Sequence, residues 1–189
     1  EVATDKSLGE DLDKYQPMLL RAQERIDGIV QLISDLLSLS RSEQAKAAAE
    51  PELLEIGPSV DAAIAQHSER MNAGRITART DLAPDLPPVL IAADDLDLIL
   101  SNLLGNAVKY NREGGTVTVR GRHEGHWLRL DVIDTGIGIA EENLEQVMTE
   151  FFREKRPETR DLEGSGLGLA IVKRLVERAG GRLEAASTL

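Results

Sequence analysis

The sequence predicts an α+β two-layer sandwich, about five short strands in a mixed sheet with three helices, preceded by one long helix. Three observations carry that reading. Apolar residues recur at steps of three and four over 12–40. Helical patterns return at 58–73, 94–110 and 167–180, and short alternating β-runs lie between them. At 189 residues the chain is long enough for one to two domains, and with 41% hydrophobic but only 3% aromatic residues its core must be built from Leu, Ile, Val and Ala.

The leading stripe runs Leu12, Tyr15, Leu19, Ala22, Ile26, Ile29, Ile33, Leu36 and Ser40, with Asp13, Lys14, Arg21, Glu24, Arg25 and Asp35 off it. This spacing predicts a heptad-like seam, weakened at Gly28 and started or kinked at Pro17, that pairs the 12–40 helix with a second copy in a homodimer. The polar, alanine-rich stretch 42–50 ends at Pro51, so the domain boundary is placed there, giving segments 1–48 and 49–189.

Leu53 to Ile56 reads as a strand, Pro58 and Ser59 open a helix that Gly74 closes, and Ile76 to Leu82 is a second strand. After the turn at Ala83–Pro88 comes a short strand, Val89 to Ala92, and Asp94 and Asp95 place acid at the start of the next helix. Thr116 to His123 and Trp127 to Ile133 form a hairpin that turns near Glu124 and Gly125.

The central helix has two faces. Leu96, Leu100, Leu103, Leu104 and Ala107 form an apolar one, while Asn102, Asn106, Lys109 and Tyr110 gather on another. Asparagine is a poor helix-interior residue because its amide competes for backbone hydrogen bonds. Two of them a turn apart fit either a solvated face or a pair of amide oxygens aimed at one ion or ligand. Two glycine-bearing turns follow. Asp134-Thr-Gly-Ile-Gly-Ile139 leaves a strand and lets backbone approach a ligand at Gly136 and Gly138, although a plain turn has the same pattern. Gly164-Ser-Gly-Leu-Gly168 enters a helix whose N-terminal N–H groups make an anion site. A dinucleotide fingerprint is absent, because the third glycine and a regular βαβ series are missing.

Composition excludes some functions. A net charge of −11 opposes nucleic acid or an anionic membrane surface as partner. With no cysteine there is neither a disulfide framework nor a thiolate metal site, and no apolar run reaches the roughly 18 residues of a membrane span. A cytoplasmic fragment without membrane contact is expected.

In combination, NLLGNAVKY (102–110), DTGIGI (134–139), Phe151-Phe-Arg153 and GSGLGLAIV (164–172) resemble the N box, first glycine box, F box and second glycine box of sensor histidine kinases. These belong to the wider superfamily that includes DNA gyrase and the Hsp-type chaperone ATPases, built on the Bergerat ATP-binding fold. RIDGIVQLISDLLSLSR resembles the second helix of that family's dimerisation and phosphotransfer hairpin, which makes 1–48 a partial phosphotransfer domain and 49–189 the catalytic ATP-binding domain.

The resemblance implies MgATP as ligand. Asn106 would hold Mg²⁺, with Asn102 supporting the phosphate end, Lys109 meeting phosphate and Tyr110 packing by the nucleotide. Asp134 would accept from the adenine amino group, and Gly136, Gly138 and Ile139 would line the purine. Gly164, Ser165, Gly166, Leu167 and Gly168 would form the second nucleotide loop. Residues 140–163 would be a mobile lid anchored by Phe151 and Phe152, with Arg153, Lys155, Arg156 or Arg160 reaching phosphate. Where the gyrase branch carries a water-activating glutamate this chain has Asn102, and an amide cannot act as that base. Little hydrolysis is expected, with the γ-phosphoryl group delivered elsewhere. No histidine is followed by the acidic residue and proline of a phosphoacceptor motif, and His67, His123 and His126 read as ordinary residues. The acceptor helix is therefore expected upstream of Glu1, and GGRLEAASTL is expected to lead into a final strand without completing it. The implied function is phosphorylation of that histidine for relay to a response-regulator aspartate. A dimeric pseudokinase scaffold that binds a regulator and an anti-sigma-type serine kinase are the alternatives.

Overall fold

A computed structural model describes residues 15, 18, 19, 50–154, 156–159 and 164–188. The seam over 12–40, the boundary at 48/49, Lys155 and Arg160 lie outside the described residues, apart from Tyr15, Met18 and Leu19, which are helical.

The elements run β1 (Glu52–Leu54), α1 (Ile56–Gln66), α2 (Ser68–Ala73), β2 (Thr77–Leu82), β3 (Val89–Ile91), α3 (Ala93–Lys109), β4 (Thr116–Glu124), β5 (Trp127–Asp134) and α4 (Gly168–Arg178). Between β5 and α4 lie three short 3₁₀ turns at Glu141–Asn143, Gln146–Met148 and Pro157–Thr159. The expected mixed α/β architecture is present, with its five strands divided in two. Antiparallel β1 and β3 form one pair; β2, β4 and β5 form the other sheet, with β2–β4 parallel and β4–β5 antiparallel. Among the described residues no helix is long and apolar enough to cross a membrane.

Two sequence expectations are corrected. Ile56 is helical rather than the end of a strand, because Pro58 sits in the first turn of α1, where its missing N–H has no intrahelical partner to lose. The expected 58–73 helix breaks at His67, whose φ of −98° and ψ of 2° leave the helical region while its N–H donates to the Ile64 carbonyl at 3.1 Å. Burying Met71 and the His67 ring together holds that bend. Residues 182–188 join no ladder, and Ser187 uses its hydroxyl to accept from the Ile139 N–H at 2.8 Å.

Alternation along β4 puts Val117 and Val119 into the core and Thr118, Arg120 and Arg122 outside. On that outer face Arg120 and Arg122 both reach Asp81 of β2, and the Arg122 hydrogen bond chiefly holds the Asp81 carboxyl below the usual carboxylate range. The helices cover the other face. Leu100 and Leu104 of α3 are wholly buried, with Val60 from α1 and Leu167, Ile171 and Val172 from the α4 side filling the same core. Each such side chain contributes about 1.5–3 kcal/mol by leaving water. Arg178, in the last turn of α4, pairs with Asp95 in the first turn of α3, each charge complementing its own helix dipole. This packing aligns the polar face of α3 with the start of α4.

Candidate functional site

A cleft of about 1480 Å³ opens between α3, the loop after β5, residues 147–154, Thr159, residues 164–168 and the C-terminal residues 183–187. Asn102, Asn106, Lys109 and Tyr110 all line it, as does Asp134 from the opposite wall. The helix periodicity that grouped the first four on one face thus places them in a cavity rather than in bulk solvent.

Asn102 resolves its competition with the backbone by donating Nδ2 to the Leu98 carbonyl at 2.9 Å, one turn back. Its Oδ1 then faces α4: a Cβ added at Gly168 would stand 2.7 Å from that oxygen and 3.9 Å from the Asn106 Nδ2. Both carboxamides therefore stand at the N-terminus of α4, where Leu167 provides no side-chain cap and the first-turn N–H groups are available to an acceptor. Lys109 completes this end. Its Nζ lies 4.8 Å from the centroid of the Tyr110 ring, and a Cβ on Gly164 would meet it at 2.6 Å.

The opposite wall hangs on the C-terminus of α3. The Ile137 N–H donates to the Tyr110 carbonyl at 3.0 Å, and Gly136 presses so closely on that carbonyl that a side chain has no room. Asp134 ends β5 with its Oδ1 accepting the Gly136 N–H at 2.8 Å, and its carboxylate remains exposed to the cleft. Gly138, Ile139, Gly164, Ser165, Gly166 and Gly168 line the cleft too; Leu167 is wholly buried behind it.

The lid residues divide. Phe152 and Arg153 line the cleft. Phe151 is 61% exposed with φ of 62°, so its ring anchors nothing; instead the backbone of 151–152 rests on Gly166, whose φ of 74° and absent Cβ permit the approach. Arg156 is not available to phosphate as expected: its guanidinium is committed to Glu154 at 2.9 Å and to the Gly138 carbonyl at 2.6 Å.

Sequence reasoning missed two supports. Asn111 donates Nδ2 to the Thr116 carbonyl at 3.1 Å and accepts from the Thr135 hydroxyl at 3.3 Å, while the Thr116 N–H donates to that hydroxyl at 2.9 Å. This knot fixes the end of α3 to the strand end that carries Asp134. His67 is the second: 8% exposed, it lines the cleft beside Gly105 with its Nε2 unpartnered. Burial is the main influence lowering its pKa from the ordinary 6.5, opposed by the Ser101 carbonyl and aided by Arg70.

Two amides and a lysine thus stand by the N-terminus of one helix, with a carboxylate beside a glycine turn on the opposite wall of the cleft. The chain belongs to the histidine kinase-, DNA gyrase B- and HSP90-like ATPase family, whose model matches residues 91–189. It is 30% identical over 167 residues to the adaptive-response sensory kinase SasA of Nostoc sp., a match covering 88% of this chain and 41% of that protein. Full-length ShkA, solved in complex with AMPPNP, superposes with a TM-score of 0.70 and 26% identity over 92% of this chain and 37% of ShkA. The histidine kinase ThkA, solved in complex with the response regulator TrrA, shares the fold at a TM-score of 0.64 and 21% identity, covering 92% of this chain and 46% of ThkA. The chain thus spans less than half the length of these relatives.

Proposed function

We propose that this chain is the catalytic part of a protein-histidine kinase, with residues 49–189 binding MgATP and residues 1–48 contributing to a dimerising phosphotransfer domain. The observation that carries the reading is the meeting of Asn102, Asn106 and Lys109 at the uncapped start of α4, with Asp134 at the other end of the same cleft. One end suits polyphosphate and the other an exocyclic amine. Asp134 would accept from the adenine amino group, with Ile137, Gly138 and Ile139 lining the same wall of the cleft beside it. The Gly168 and Leu169 N–H groups, the α4 dipole, Lys109 and Arg153 would neutralise the phosphates.

Mg²⁺ fits these donors only as a phosphate-bound ion. Among the described residues no cluster of His, Asp or Glu could hold a metal alone, and an amide oxygen such as that of Asn106 suits a hard cation that keeps water and phosphate oxygens. That ion would supply charge neutralisation. Asn102, its amide tied to Leu98, offers no base for water, so the γ-phosphoryl group is retained for transfer rather than hydrolysed. His67, His123 and His126 lack the phosphoacceptor pattern, so the accepting histidine is supplied by another segment, and a response-regulator aspartate takes the group from it. The 12–40 seam would make the working unit a cytoplasmic homodimer.

Calorimetric titration tests the site. Asp134→Asn replaces an acceptor by a mixed donor and acceptor, and ATP affinity is expected to fall about 10–100-fold. Unchanged affinity would remove the adenine assignment. Incubating labelled MgATP with this chain and a longer form extended N-terminally of Glu1 tests transfer. Acid-labile, alkali-stable protein label is expected. Label on serine points to the anti-sigma alternative, released phosphate alone to an ATPase, and no nucleotide binding to a scaffold.

A further inference from the structure

The segment carrying Phe152 is fastened across the cleft mouth by one carboxylate. Glu154 Oε1 accepts from the Ala140 N–H at 3.2 Å and from the Asn143 side chain at 2.8 Å, while Oε2 pairs with Arg156 at 2.9 Å. The same Arg156 nitrogen donates to the Gly138 carbonyl at 2.6 Å. Thr159 closes the turn, its hydroxyl donating to the Glu154 carbonyl at 2.6 Å and accepting the Arg156 N–H at 3.0 Å. The side chains of Glu154 and Arg156 thus reach both ends of the 138–143 loop, which lines the same cleft as Asp134.

Two features set this cluster apart from an ordinary surface pair. The Glu154 side chain is only 10% exposed and that of Arg156 only 23%, whereas the ion pair of Arg75 with Glu113 leaves both about three-quarters in water. A buried ion pair is a weak source of net stability, because desolvation offsets its attraction, so its position calls for another reason. The Arg156 Nε is buried without a partner, leaving the closed arrangement incompletely satisfied and open to exchange.

We propose that Glu154 is a positioning residue for nucleotide retention. With Arg156 it forms a latch that holds residues 151–154 and 156–159 onto the 138–143 loop, and opening the ion pair is the step that lets nucleotide leave. This rests on the nucleotide reading of the cleft. The latch also assigns the lid cations different work: Arg156 fastens the lid, and Arg153 lines the cleft with Lys109 of α3.

The test measures release of a fluorescent ATP analogue by stopped flow from the parent chain, Glu154→Ala, Arg156→Ala and the double variant, with amide exchange at Ala140 followed in nucleotide-free protein. Each single variant is expected to release the analogue about tenfold faster, the loss of one charge-assisted interaction, and the double no faster than either single. Exchange at Ala140 should accelerate in Glu154→Ala without any nucleotide. Unchanged release, or a double variant whose acceleration is the product of the two singles, overturns the latch. If Glu154→Ala does not fold, the near-isosteric Glu154→Gln gives the same release reading. A parent chain that binds no analogue overturns the nucleotide reading, and exchange at Ala140 then decides the clamp by itself: unchanged exchange overturns it, faster exchange supports it.

Discussion

The two glycine turns at the cleft look alike in sequence and differ in what presses on them. At 134–139 the neighbour of Gly136 is backbone, the carbonyl of Tyr110 at the end of α3. At 164–168 Gly166 also meets backbone, that of Phe151 and Phe152, but the neighbours of Gly164 and Gly168 on either side of it are the ends of side chains, Lys109 Nζ and Asn102 Oδ1. A backbone carbonyl held by a helix cannot step aside, whereas a lysine tip can. The first turn is therefore a structural joint, and the second a place where helix side chains are kept close to whatever the α4 amides bind.

Adding a methyl group at Gly136, Gly168 or Gly164 would break or sharpen that contrast. Gly136→Ala must displace the Tyr110 carbonyl and crowd Asp134 Oδ1, which a Cβ would meet at 2.7 Å. A loss of about 3 kcal/mol or more in urea unfolding is expected, with ligand binding lost alongside. Gly168→Ala forces the Asn102 carboxamide to turn and give up its bond to Leu98. That costs about 1 kcal/mol, while alanine regains a similar amount as a better helix former. Stability should barely move, but affinity for MgATP should drop about tenfold as the amide pair is disturbed. With Gly164→Ala only the Lys109 tip swings away: stability should stay within about 0.5 kcal/mol, with a few-fold weaker binding of triphosphate. Equal destabilisation by all three would erase the distinction.

His67 gives the smallest effect and comes from outside both turns. Its folded pKa is lowered by burial, so the unfolded chain takes up a proton near the ordinary 6.5 while the folded chain resists until lower pH. Over that window the unfolded state binds more protons. Stability is therefore full above about 6.5 and is lost as pH falls through the folded value. Urea midpoints followed across this window should decline on acidification, and His67→Gln should flatten the decline.

Much of this was legible beforehand because it is periodic or local. The α3 face, the hairpin and the helix following Gly168 each announce themselves within a dozen residues, and the polar candidates on α3 fall in one cavity as their spacing requires. What escaped is tertiary. Nothing in Gln66-His67-Ser68 marks a helix break; it exists because the ring is buried against α3. The Asn111–Thr135 knot joins positions 24 apart, and the withdrawal of Arg156 depends on Glu154 finding Ala140 and Asn143 across a loop. Strand pairing was equally silent: alternation identifies a strand's faces but not its neighbours, so the division of five strands into a pair and a triplet appears only in three dimensions.

The parallel ladder between β2 and β4 has a consequence for how the molecule comes into being. Thr77 lies opposite Thr116, and the chain that separates them includes all of α3. Closing so long a loop is entropically uphill until the ladder and the helix packing form together, which places the protein among slower-folding topologies. Because the helix bearing Asn102, Asn106 and Lys109 is itself the crossover, no intermediate with an unformed β2–β4 ladder presents a complete cleft. Recovery of ligand binding during refolding should keep time with the sheet, so a ligand added early can trap the native molecule but cannot template it.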